Sequence, residues 1–306
     1  MRIVFMGTPD FAVPSLKRLI ADGHEIAAVY TQPDKPKNRG MKLTPSPVKQ
    51  MALAHNIPVV QPQTLREDGV LETLASFRPE LIVVVAYGKI LPKAVIDLPP
   101  MGCINVHSSL LPKYRGAAPI NWAVIHGEAE TGVTIMDIAE ALDAGDMIAQ
   151  RATPIDPNES VEQLHDRLAQ LGAQLLSETV VQIANGTATR TPQEESQSTY
   201  APMLSRELSP IDWTRSAWEI HNQIRGLTPW PATTMELAGN QFKVYAAEET
   251  GESTAQPAGT LVGTDKRGIC MACGDGKVLR ILELQAPGKK RMKAPDYLRG
   301  HPIQGN

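Results

Sequence analysis

Apolar runs of strand length alternate with helically spaced apolar positions through the first half of the chain. Runs typical of strands occupy residues 2–6, 24–30, 59–60 and 81–86. Helical spacing lies between them, at residues 11–21, 47–55 and near 66–77. Strands that alternate with helices are typical of a parallel sheet covered by helices. The pattern therefore predicts an α/β fold, with a Rossmann-like, mostly parallel sheet and flanking helices.

A long amphipathic helix is predicted at residues 160–184, where apolar side chains recur at helical spacing and Asn185-Gly186 follows as a stop signal. The chain beyond it is rich in Thr, Gln, Ser and Pro and has little periodicity, which is typical of a linker. We therefore divide the chain into an amino-terminal domain at 1–189, a linker at 190–205 and a carboxyl-terminal domain at 206–306.

The pattern changes in the carboxyl-terminal domain. One short helix is expected at 217–225. Short apolar runs separated by Gly, Asn and Asp follow at residues 233–237, 241–246, 259–262, 268–272 and 277–284. Strands at such turn spacing are typical of a small β-barrel.

Composition and charge narrow the class of protein. The 306 residues include no apolar stretch of membrane-spanning length, and the amino terminus enters a strand directly, so we expect a cytoplasmic protein without a membrane contact. The formal net charge is -3, yet basic residues concentrate within 34–49 and 277–299. Two basic segments in a mildly acidic protein favour a confined contact with a polyanion, although a run of charge is by default a solvated surface.

Two common cofactor classes find little support. Two residues separate Cys270 from Cys273, a spacing that is common in zinc sites. No second Cys or His pair lies nearby at ligand spacing, so we expect no metal. Three cysteines provide no disulfide framework. Gly7-Thr8-Pro9 lies where a dinucleotide-binding fold has its glycines, yet the G-x-G-x-x-G pattern is missing, which argues against a nicotinamide cofactor.

The most informative chemistry is Asn105-Val106-His107, at the predicted carboxyl end of a short strand. Side chains two residues apart project from the same side of an extended segment, so the carboxamide and the imidazole can act on one substrate atom. Open α/β sheets place their chemistry at such strand ends. Asp143, in the loop Leu142-Asp143-Ala144-Gly145-Asp146, is a carboxylate between two apolar runs. For either motif alone, a polar group satisfied in an ordinary turn is the alternative.

Taken together, these motifs resemble those of the folate-dependent formyltransferases, and within that family those of the enzymes that act on methionyl-tRNA. The resemblance also includes Phe5-Met6-Gly7-Thr8-Pro9-Asp10-Phe11, Ser109-Leu110-Leu111-Pro112, Arg115-Gly116, Gly132-Val133-Thr134-Ile135-Met136 and Pro287-Gly288-Lys289-Lys290-Arg291-Met292. It implies an oligonucleotide-binding-like (OB-like) barrel at the carboxyl end. It also implies transfer of a formyl group from 10-formyltetrahydrofolate to the α-amino group of methionyl initiator tRNA.

The resemblance assigns roles to particular residues. Asn105 and His107 would donate hydrogen bonds to the oxyanion, and Asp143 would favour the charged imidazolium of His107. The folate cosubstrate would lie against Ser109, Leu110, Leu111, Pro112, Tyr87, Gly88 and Ile90. Contacts to tRNA are expected from Arg39 and Lys42 in a long loop at 32–46, and from Lys289, Lys290, Arg291 and Lys293. We expect a monomer that needs no metal.

Other functions remain open at this point. Formyl transfer to a glycinamide nucleotide or an amino sugar, or hydrolysis of the formyl folate, would use the same Asn, His and Asp. A non-catalytic RNA- or nucleotide-binding module is the alternative from another class. The basic loop and the appended barrel favour tRNA over a small acceptor, and the intact Asn105, His107 and Asp143 favour an enzyme.

Overall fold

The computed structural model of the chain describes residues 1–37 and 42–303. Its contacts divide the chain into two compact units. The first unit comprises Met1–Gly116, Gly132–Thr153 and His165–Tyr200, and the second comprises Ala117–Thr131, Pro154–Leu164 and Ala201–Asn306.

The first eleven strands in chain order are β1 (Arg2–Gly7), β2 (Glu25–Tyr30), β3 (Lys35–Lys37), β4 (Lys42–Thr44), β5 (Val59–Val60), β6 (Leu81–Val85), β7 (Cys103–His107), β8 (Arg115–Gly116), β9 (Glu130–Asp137), β10 (Met147–Pro154) and β11 (Tyr200–Ala201). The first six helices are α1 (Val13–Ala21), α2 (Pro47–Ala54), α3 (Val70–Ser76), α4 (Lys93–Ile96), α5 (Pro119–Ile125) and α6 (Val161–Ala184). A short 3-10 helix, Asp10–Ala12, precedes α1.

The main sheet of the first unit has seven strands in the order β10-β9-β7-β6-β1-β2-β5. Strands β1, β2, β5, β6 and β7 pair in parallel, whereas β9 pairs with β7 in the antiparallel sense. All five residues of β6 are buried, as expected for a strand covered on both faces. The predicted α/β architecture with a mostly parallel sheet is thus confirmed.

Local capping signals explain where helices begin. Ser46 caps α2, because its hydroxyl oxygen accepts a hydrogen bond from the Lys49 backbone N–H at 3.1 Å and Pro47 opens the helix. The helix expected near 66–77 begins later, at Val70, because the preceding Gly69 has a left-handed φ of 78°. The helices α4 and α5 were not predicted from the sequence, since both are short.

The basic segment at 32–46 is more regular than the sequence suggests. We expected an irregular loop, but β3 and β4 form a small antiparallel hairpin that pairs Lys35 with Thr44 and Lys37 with Lys42. The alternation of Lys and Pro in this segment hides the strands from any search for apolar periodicity.

The second unit combines helices with an antiparallel sheet. Its further elements are α7 (Ala217–Leu227), β12 (Thr233–Leu237), β13 (Asn240–Ser253), β14 (Leu261–Thr264), β15 (Ile269–Ala272), β16 (Lys277–Gln285), β17 (Met292–Lys293) and α8 (Ala294–Gly300). The sheet runs β12-β13-β16-β15-β14, with β17 paired to β16. The predicted strand-rich domain is confirmed, and closure of these strands into an OB-like barrel stays a prediction.

An apolar core joins α7 to this sheet. Ile220 and Ile224 of α7 lie in one cluster with Phe242, Val244 and other buried side chains of the strands. A capping box starts the helix: the Ser216 hydroxyl accepts from the Glu219 N–H at 3.3 Å, and the Glu219 carboxylate accepts from the Ser216 N–H at 3.0 Å. Both interactions restrict where α7 can begin.

The segment predicted as a linker at 190–205 makes ordered contacts. Thr191 forms a bridge with Met147, and β11 pairs with β8. The low apolar content of this segment concealed these contacts, because they are hydrogen bonds of the backbone and of polar side chains. Among the described residues, no helix combines the length and the apolar character needed to cross a membrane.

Candidate functional site

Loops at the carboxyl ends of the parallel strands meet at one edge of the sheet. The Thr8 hydroxyl, after β1, donates to the Tyr87 carbonyl oxygen after β6 at 3.1 Å. The Gln32 side chain, after β2, donates to the same carbonyl oxygen at 3.0 Å. Strand β7 ends at the same edge, so parallel pairing brings Asn105 and His107 to it.

Asn105 and His107 occupy alternate positions of β7 and therefore project from the same face. Asn105 pairs with Val84 on one side and Met136 on the other, and His107 pairs with Thr134. His107 is buried and Asn105 is half-buried. The strand is thus held from both sides, which makes it a rigid support for the two functional groups.

A backbone carbonyl determines the orientation of the His107 ring. Nε2 of His107 lies 2.9 Å from the Tyr114 carbonyl oxygen. Because a carbonyl oxygen only accepts, Nε2 carries the proton, and Nδ1 is the nitrogen that faces other groups. Nδ1 lies 3.7 Å from Oδ2 of Asp143. This distance is longer than a hydrogen bond, so the Asp143 carboxylate lies beside Nδ1 without engaging it directly.

Asp143 lies in a tight loop with an unusual backbone. Its φ is 48°, in the left-handed region that residues other than Gly, Asn and Asp seldom adopt. The Gly116 backbone N–H donates to Oδ2 of Asp143 at 2.8 Å, and the side chain of Gln193 donates to the Asp143 and Gly145 carbonyl oxygens at 2.8 Å each. Gly145 has to be a glycine, because a Cβ there would collide with the Asp137 carbonyl oxygen.

The segment Ser109-Leu110-Leu111-Pro112 is held by Thr134 and Gln150. The Thr134 hydroxyl donates to the Ser109 carbonyl oxygen at 2.7 Å and accepts from the Leu111 N–H at 3.1 Å. Gln150 donates to the Leu111 carbonyl oxygen at 2.8 Å. Ser109 and Leu111 are buried, whereas Leu110 and Pro112 are half-exposed. Of these four predicted folate contacts, Leu110 and Pro112 thus present the most surface to a ligand.

The other predicted folate residues differ in how much surface they present. The Tyr87 side chain is 1% exposed within an apolar cluster, and this burial raises the pKa of its phenol. Its backbone, not its ring, therefore faces the loops of the site. Gly88 is exposed with φ 74°, and a Cβ there would collide with the Gln32 side chain. Ile90 is 79% exposed.

The basic residues expected to contact tRNA fall into three groups. Arg39 lies outside the described residues, and Lys42 is the first residue of β4. Lys289, Lys290 and Lys293 are exposed near β17. Arg291 is also exposed, but its guanidinium donates to the Glu283 carboxylate at 2.5 Å and stacks over the Tyr245 ring.

Several residues of the site were not identified from the sequence. Tyr114 orients His107, Gly116 and Gln193 hold the Asp143 loop, and Thr134 and Gln150 hold the Ser109 segment. Gly116 and Thr134 belong to motifs that carry the resemblance, so the sequence held a signal for them. Gln193 lies in the segment predicted as a linker, and no motif in the sequence pointed to it.

A cavity of about 570 Å³ opens at the other end of β7. It is lined by Gly102 and Cys103 at the start of the strand and by Asp137 and Arg190, which form an ion pair at 2.6 Å. Burial raises the pKa of the Cys103 thiol well above its usual range. The cavity contains none of the predicted site residues. Within residues 1–37 and 42–303, no three His, Cys, Asp or Glu side chains cluster as metal ligands would.

Comparison with protein families identifies relatives over nearly the whole chain. The profile described as formyl transferase matches residues 1–180, and the profile described as formyl transferase, C-terminal domain, matches residues 203–302. A methionyl-tRNA formyltransferase of Trichlorobacter lovleyi is 50% identical over 302 residues, which cover 99% of this chain and 95% of the relative. A methionyl-tRNA formyltransferase of Bacillus subtilis is 48% identical over 303 residues, covering 99% and 96%.

Solved structures with a similar fold are more distant in sequence. WlaRD, a sugar 3N-formyl transferase studied with dTDP and 5-N-formyl-THF, is 21% identical with a TM-score of 0.70, covering 95% of this chain and 99% of that one. HypX from Aquifex aeolicus, in complex with tetrahydrofolic acid, is 18% identical with a TM-score of 0.69, covering 100% of this chain and 48% of that one. These likenesses support the fold described above.

Proposed function

Because the chain belongs to the formyl transferase family, and is thus a formyl-transferring enzyme, we propose how its residues carry out the reaction and on which substrates. The acceptor is the α-amino group of methionyl initiator tRNA, and the donor is 10-formyltetrahydrofolate. Formylation of this tRNA allows translation to start. The observation that carries the proposed site is the pair formed by His107 and Asp143, 3.7 Å apart, with Asn105 on the same face of β7.

The first step is attack of the neutral amine on the formyl carbon. The new C–N bond forms as an electron pair of the formyl C=O moves onto its oxygen. The Asn105 amide and the Nδ1–H of a charged His107 donate to this oxyanion. Nε2 cannot take this role, because its proton is engaged with the Tyr114 carbonyl oxygen. The Nδ1–H remains available to the substrate, since Asp143 lies beyond hydrogen-bond distance.

Proton movement then completes the transfer. The proton of the attacking nitrogen passes to Asp143 through a water molecule. The electron pair on the oxyanion re-forms the formyl C=O as the bond between the formyl carbon and the folate nitrogen breaks, and that nitrogen takes the Nδ1 proton of His107. The proton held by Asp143 returns to His107, which restores the enzyme. Asp143 thus accepts a proton from the attacking nitrogen and returns it to His107.

The folate cosubstrate would lie along the loops at the edge of the sheet. Gly88 lacks a side chain and is exposed, so a flat ring can approach its backbone. Leu110 and Pro112 offer half-exposed apolar surface, and the exposed Ile90 can fold over a ligand. Ser109, Leu111 and Tyr87 would act mainly through their backbone groups, because their side chains are buried.

The tRNA would be bound by basic residues of both predicted domains. Lys289, Lys290 and Lys293 are exposed and suited to phosphate contacts, and Arg291 would add a contact if it leaves Glu283. Arg39 and Lys42 would meet the acceptor end through the basic loop. In this proposal residues 1–189 carry the chemistry, 190–205 connect, and 206–306 bind tRNA.

Formyl transfer to an amino sugar is the second candidate, because the structural neighbours include an enzyme named as a sugar formyl transferase. The exposed lysines at 289, 290 and 293 favour tRNA, since a small acceptor has too few charges to need them.

We further propose that the enzyme acts as a monomer in the cytoplasm. Its three cysteines are free and buried, which suits a reducing compartment.

The acceptor can be tested with purified protein and 10-formyltetrahydrofolate. Formylation of methionyl initiator tRNA, glycinamide ribonucleotide and a dTDP-amino sugar would be followed by transfer of a labelled formyl group. We expect formyl-methionyl-tRNA as the main product and only background with the small amines. Equal or faster formylation of a small amine would overturn the proposal.

The catalytic roles predict specific losses in variants. Asn105→Ala and His107→Ala each remove a donor to the oxyanion, so we expect turnover to fall by about 10²–10³-fold with little change in folate binding. Asp143→Asn should cause a comparable loss. His55→Ala, at an exposed histidine after α2, is the control and should retain normal turnover. Normal single-turnover rates for any of the first three variants would remove that residue from the mechanism.

A further inference from the structure

The Asp143 loop needs support from other residues, because its backbone adopts an unfavourable conformation. Asp143 is a residue other than glycine with φ of 48°, a region that costs free energy unless surrounding contacts maintain it. The loop is also exposed in part, since Leu142 projects into solvent. A carboxylate on such a loop stays in place only if other residues hold its backbone.

Gln193 supplies this support with every hydrogen-bonding group that its side chain has. Its two N–H groups donate to the carbonyl oxygens of Asp143 and Gly145, at 2.8 Å each. Its side-chain oxygen accepts from Nε of Arg115 at 3.0 Å. Arginine only donates and carbonyl oxygens only accept, so this arrangement admits one orientation of the amide. A carboxylate of the same size cannot replace it.

Arg115 holds Gln193 and lies in the strand that holds the carboxylate itself. Its guanidinium is buried and also pairs with Glu195 at 2.9 Å. The next residue, Gly116, donates its backbone N–H to Oδ2 of Asp143 at 2.8 Å. The side chain of one residue of β8 therefore supports the Asp143 backbone through Gln193, while the backbone of its neighbour supports the Asp143 carboxylate.

We propose that Gln193 is a positioning residue that holds the Asp143 carboxylate beside His107. It does not touch the reacting atoms, and the inference rests on the proposed catalytic role of Asp143. Without the two bonds to the loop, the Asp143 backbone can leave its left-handed conformation, and the carboxylate moves away from Nδ1 of His107. The residue therefore acts on the rate of the chemical step and not on the affinity for either substrate.

The test uses the full-length protein with two substitutions of similar size. Gln193→Glu retains an acceptor for Arg115 but places a carboxylate against two carbonyl oxygens, and Gln193→Met removes both donors without charge. We expect the turnover number of each to fall at least tenfold, with KM for methionyl-tRNA and for 10-formyltetrahydrofolate within about threefold of the wild type. Gln197→Ala, an exposed glutamine of the same segment whose amide donates to Glu194, should change neither.

A double-mutant cycle with Asp143→Asn distinguishes positioning from a general structural effect. If Gln193 acts through the Asp143 carboxylate, Gln193→Met should cost at least tenfold in the wild type and less than twofold in the Asp143→Asn background. Circular dichroism and thermal unfolding of each variant establish that the rates are those of folded protein. Equal losses in both backgrounds, or a loss confined to KM, would overturn the inference.

The same data separate this inference from the proposed function. A large loss for Asp143→Asn together with normal turnover for Gln193→Met and Gln193→Glu would refute the positioning role alone. Normal turnover for Asp143→Asn would refute the catalytic role of Asp143 and the positioning role with it.

Discussion

At the scale of single residues, a backbone carbonyl determines which nitrogen of His107 carries the proton and which one faces the neighbouring loops. Tyr114 has φ of 60°, and its carbonyl oxygen accepts the Nε2 proton of His107. No substitution of the Tyr114 side chain removes that oxygen, so the ring orientation depends on the course of the backbone. A turn seven residues beyond the histidine therefore leaves Nδ1 as the nitrogen for the proposed catalytic role.

Another histidine, His221 of α7, lies buried in the second unit. It is 5% exposed, and its Nδ1 has no hydrogen-bond partner among the described residues. Burial, together with the nearby positive charge of Arg225, lowers the pKa of His221 to about 4 from an ordinary value of 6.5. The folded protein therefore keeps this imidazole neutral at pH values where the unfolded chain protonates it.

This difference predicts a loss of stability in mild acid. Between pH 6.5 and 4 the unfolded chain binds a proton that the folded chain does not, so the free energy of unfolding decreases as the pH falls through this window. From pH 7 to pH 5 we expect about 2 kcal/mol from His221, which His221→Gln should abolish. Urea unfolding followed by tryptophan fluorescence measures it, because the four tryptophans all lie in the second unit.

The control is His301→Gln, at an exposed histidine after α8, which should keep the pH dependence of the wild type. Other groups that titrate in this range contribute equally to all three proteins and cancel in the comparison. An unchanged pH dependence in His221→Gln would contradict the expectation.

At the scale of elements, a polar network closes the base of the hairpin formed by β3 and β4. Gln61, after β5, donates to the Gln32 carbonyl oxygen at 2.9 Å and to the Asp34 carboxylate at 2.8 Å. Lys49 of α2 donates to Asp34 at 2.7 Å and to the Gln61 side-chain oxygen at 2.8 Å. Hydrogen bonds from Lys49 and Gln61 lower the pKa of the Asp34 carboxyl. The segment that leads into β3 is therefore tied to α2 and to the loop after β5.

Opening this base should impair the use of tRNA. Gln61→Ala removes bonds to Gln32, Asp34 and Lys49, so we expect kcat/KM for methionyl-tRNA to fall about tenfold, equivalent to about 1.4 kcal/mol. KM for 10-formyltetrahydrofolate should stay within about twofold, since the Gln32 side chain retains its hydrogen bond to the Tyr87 carbonyl oxygen. The exposed Gln63, two residues further along, provides the control variant Gln63→Ala. Equal effects on both substrates in steady-state kinetics would argue against a role specific to the hairpin.

At the scale of the whole molecule, the net charge of -3 hides a local concentration of positive charge. One such concentration lies within residues 277–299, but not every basic residue there can contact a polyanion. Arg280 is buried, and its guanidinium pairs with Glu248 at 2.5 Å and with Asp265 at 2.7 Å. Lys289, Lys290 and Lys293 are exposed. The region therefore divides into an internal ion-pair network and an outer group of lysines.

The outer lysines should determine the salt dependence of tRNA binding. Each phosphate contact releases counterions, so Lys290→Ala should lower the slope of log K against log salt by about one and weaken cognate and non-cognate tRNA alike. Lys266→Ala, at an exposed lysine outside this group, is the control and should leave the slope unchanged. Filter binding over a range of salt concentrations measures both slopes. A slope of Lys290→Ala equal to the wild type would exclude a phosphate contact.

The same binding experiment separates the two basic segments. Arg39, by its place in the basic loop, should guide the aminoacyl end to His107, so Arg39→Ala should reduce single-turnover rates more than affinity. If Arg39→Ala reduces affinity alone, with the salt dependence of Lys290→Ala, the loop is only a further phosphate contact.

Local patterns in the chain were enough to identify much of the protein. The unbroken apolar run of β6 specifies a buried strand, and Ser46-Pro47 specifies where α2 starts, because both signals act within a few residues. Asn105, His107 and Asp143 were recognisable as candidate site residues, because their residue types and their order along the chain resemble the motifs of the formyltransferases. Parallel strand pairing brings Asn105 and His107 to the sheet edge, whereas Asp143 follows the antiparallel strand β9 and reaches His107 only through the course of its loop.

Other features depended on residues that are distant in the sequence. The choice of Nδ1 over Nε2 in His107, the support of Asp143 by Gln193 and the closed base of the hairpin all arise from single hydrogen bonds between separate segments. Such bonds leave no periodicity, and a polar segment such as 190–205 looks the same whether it is solvated or packed. Hydrophobic patterning therefore predicts which elements form, whereas the polar contacts that aim the functional groups exist only once the folded chain brings their partners together.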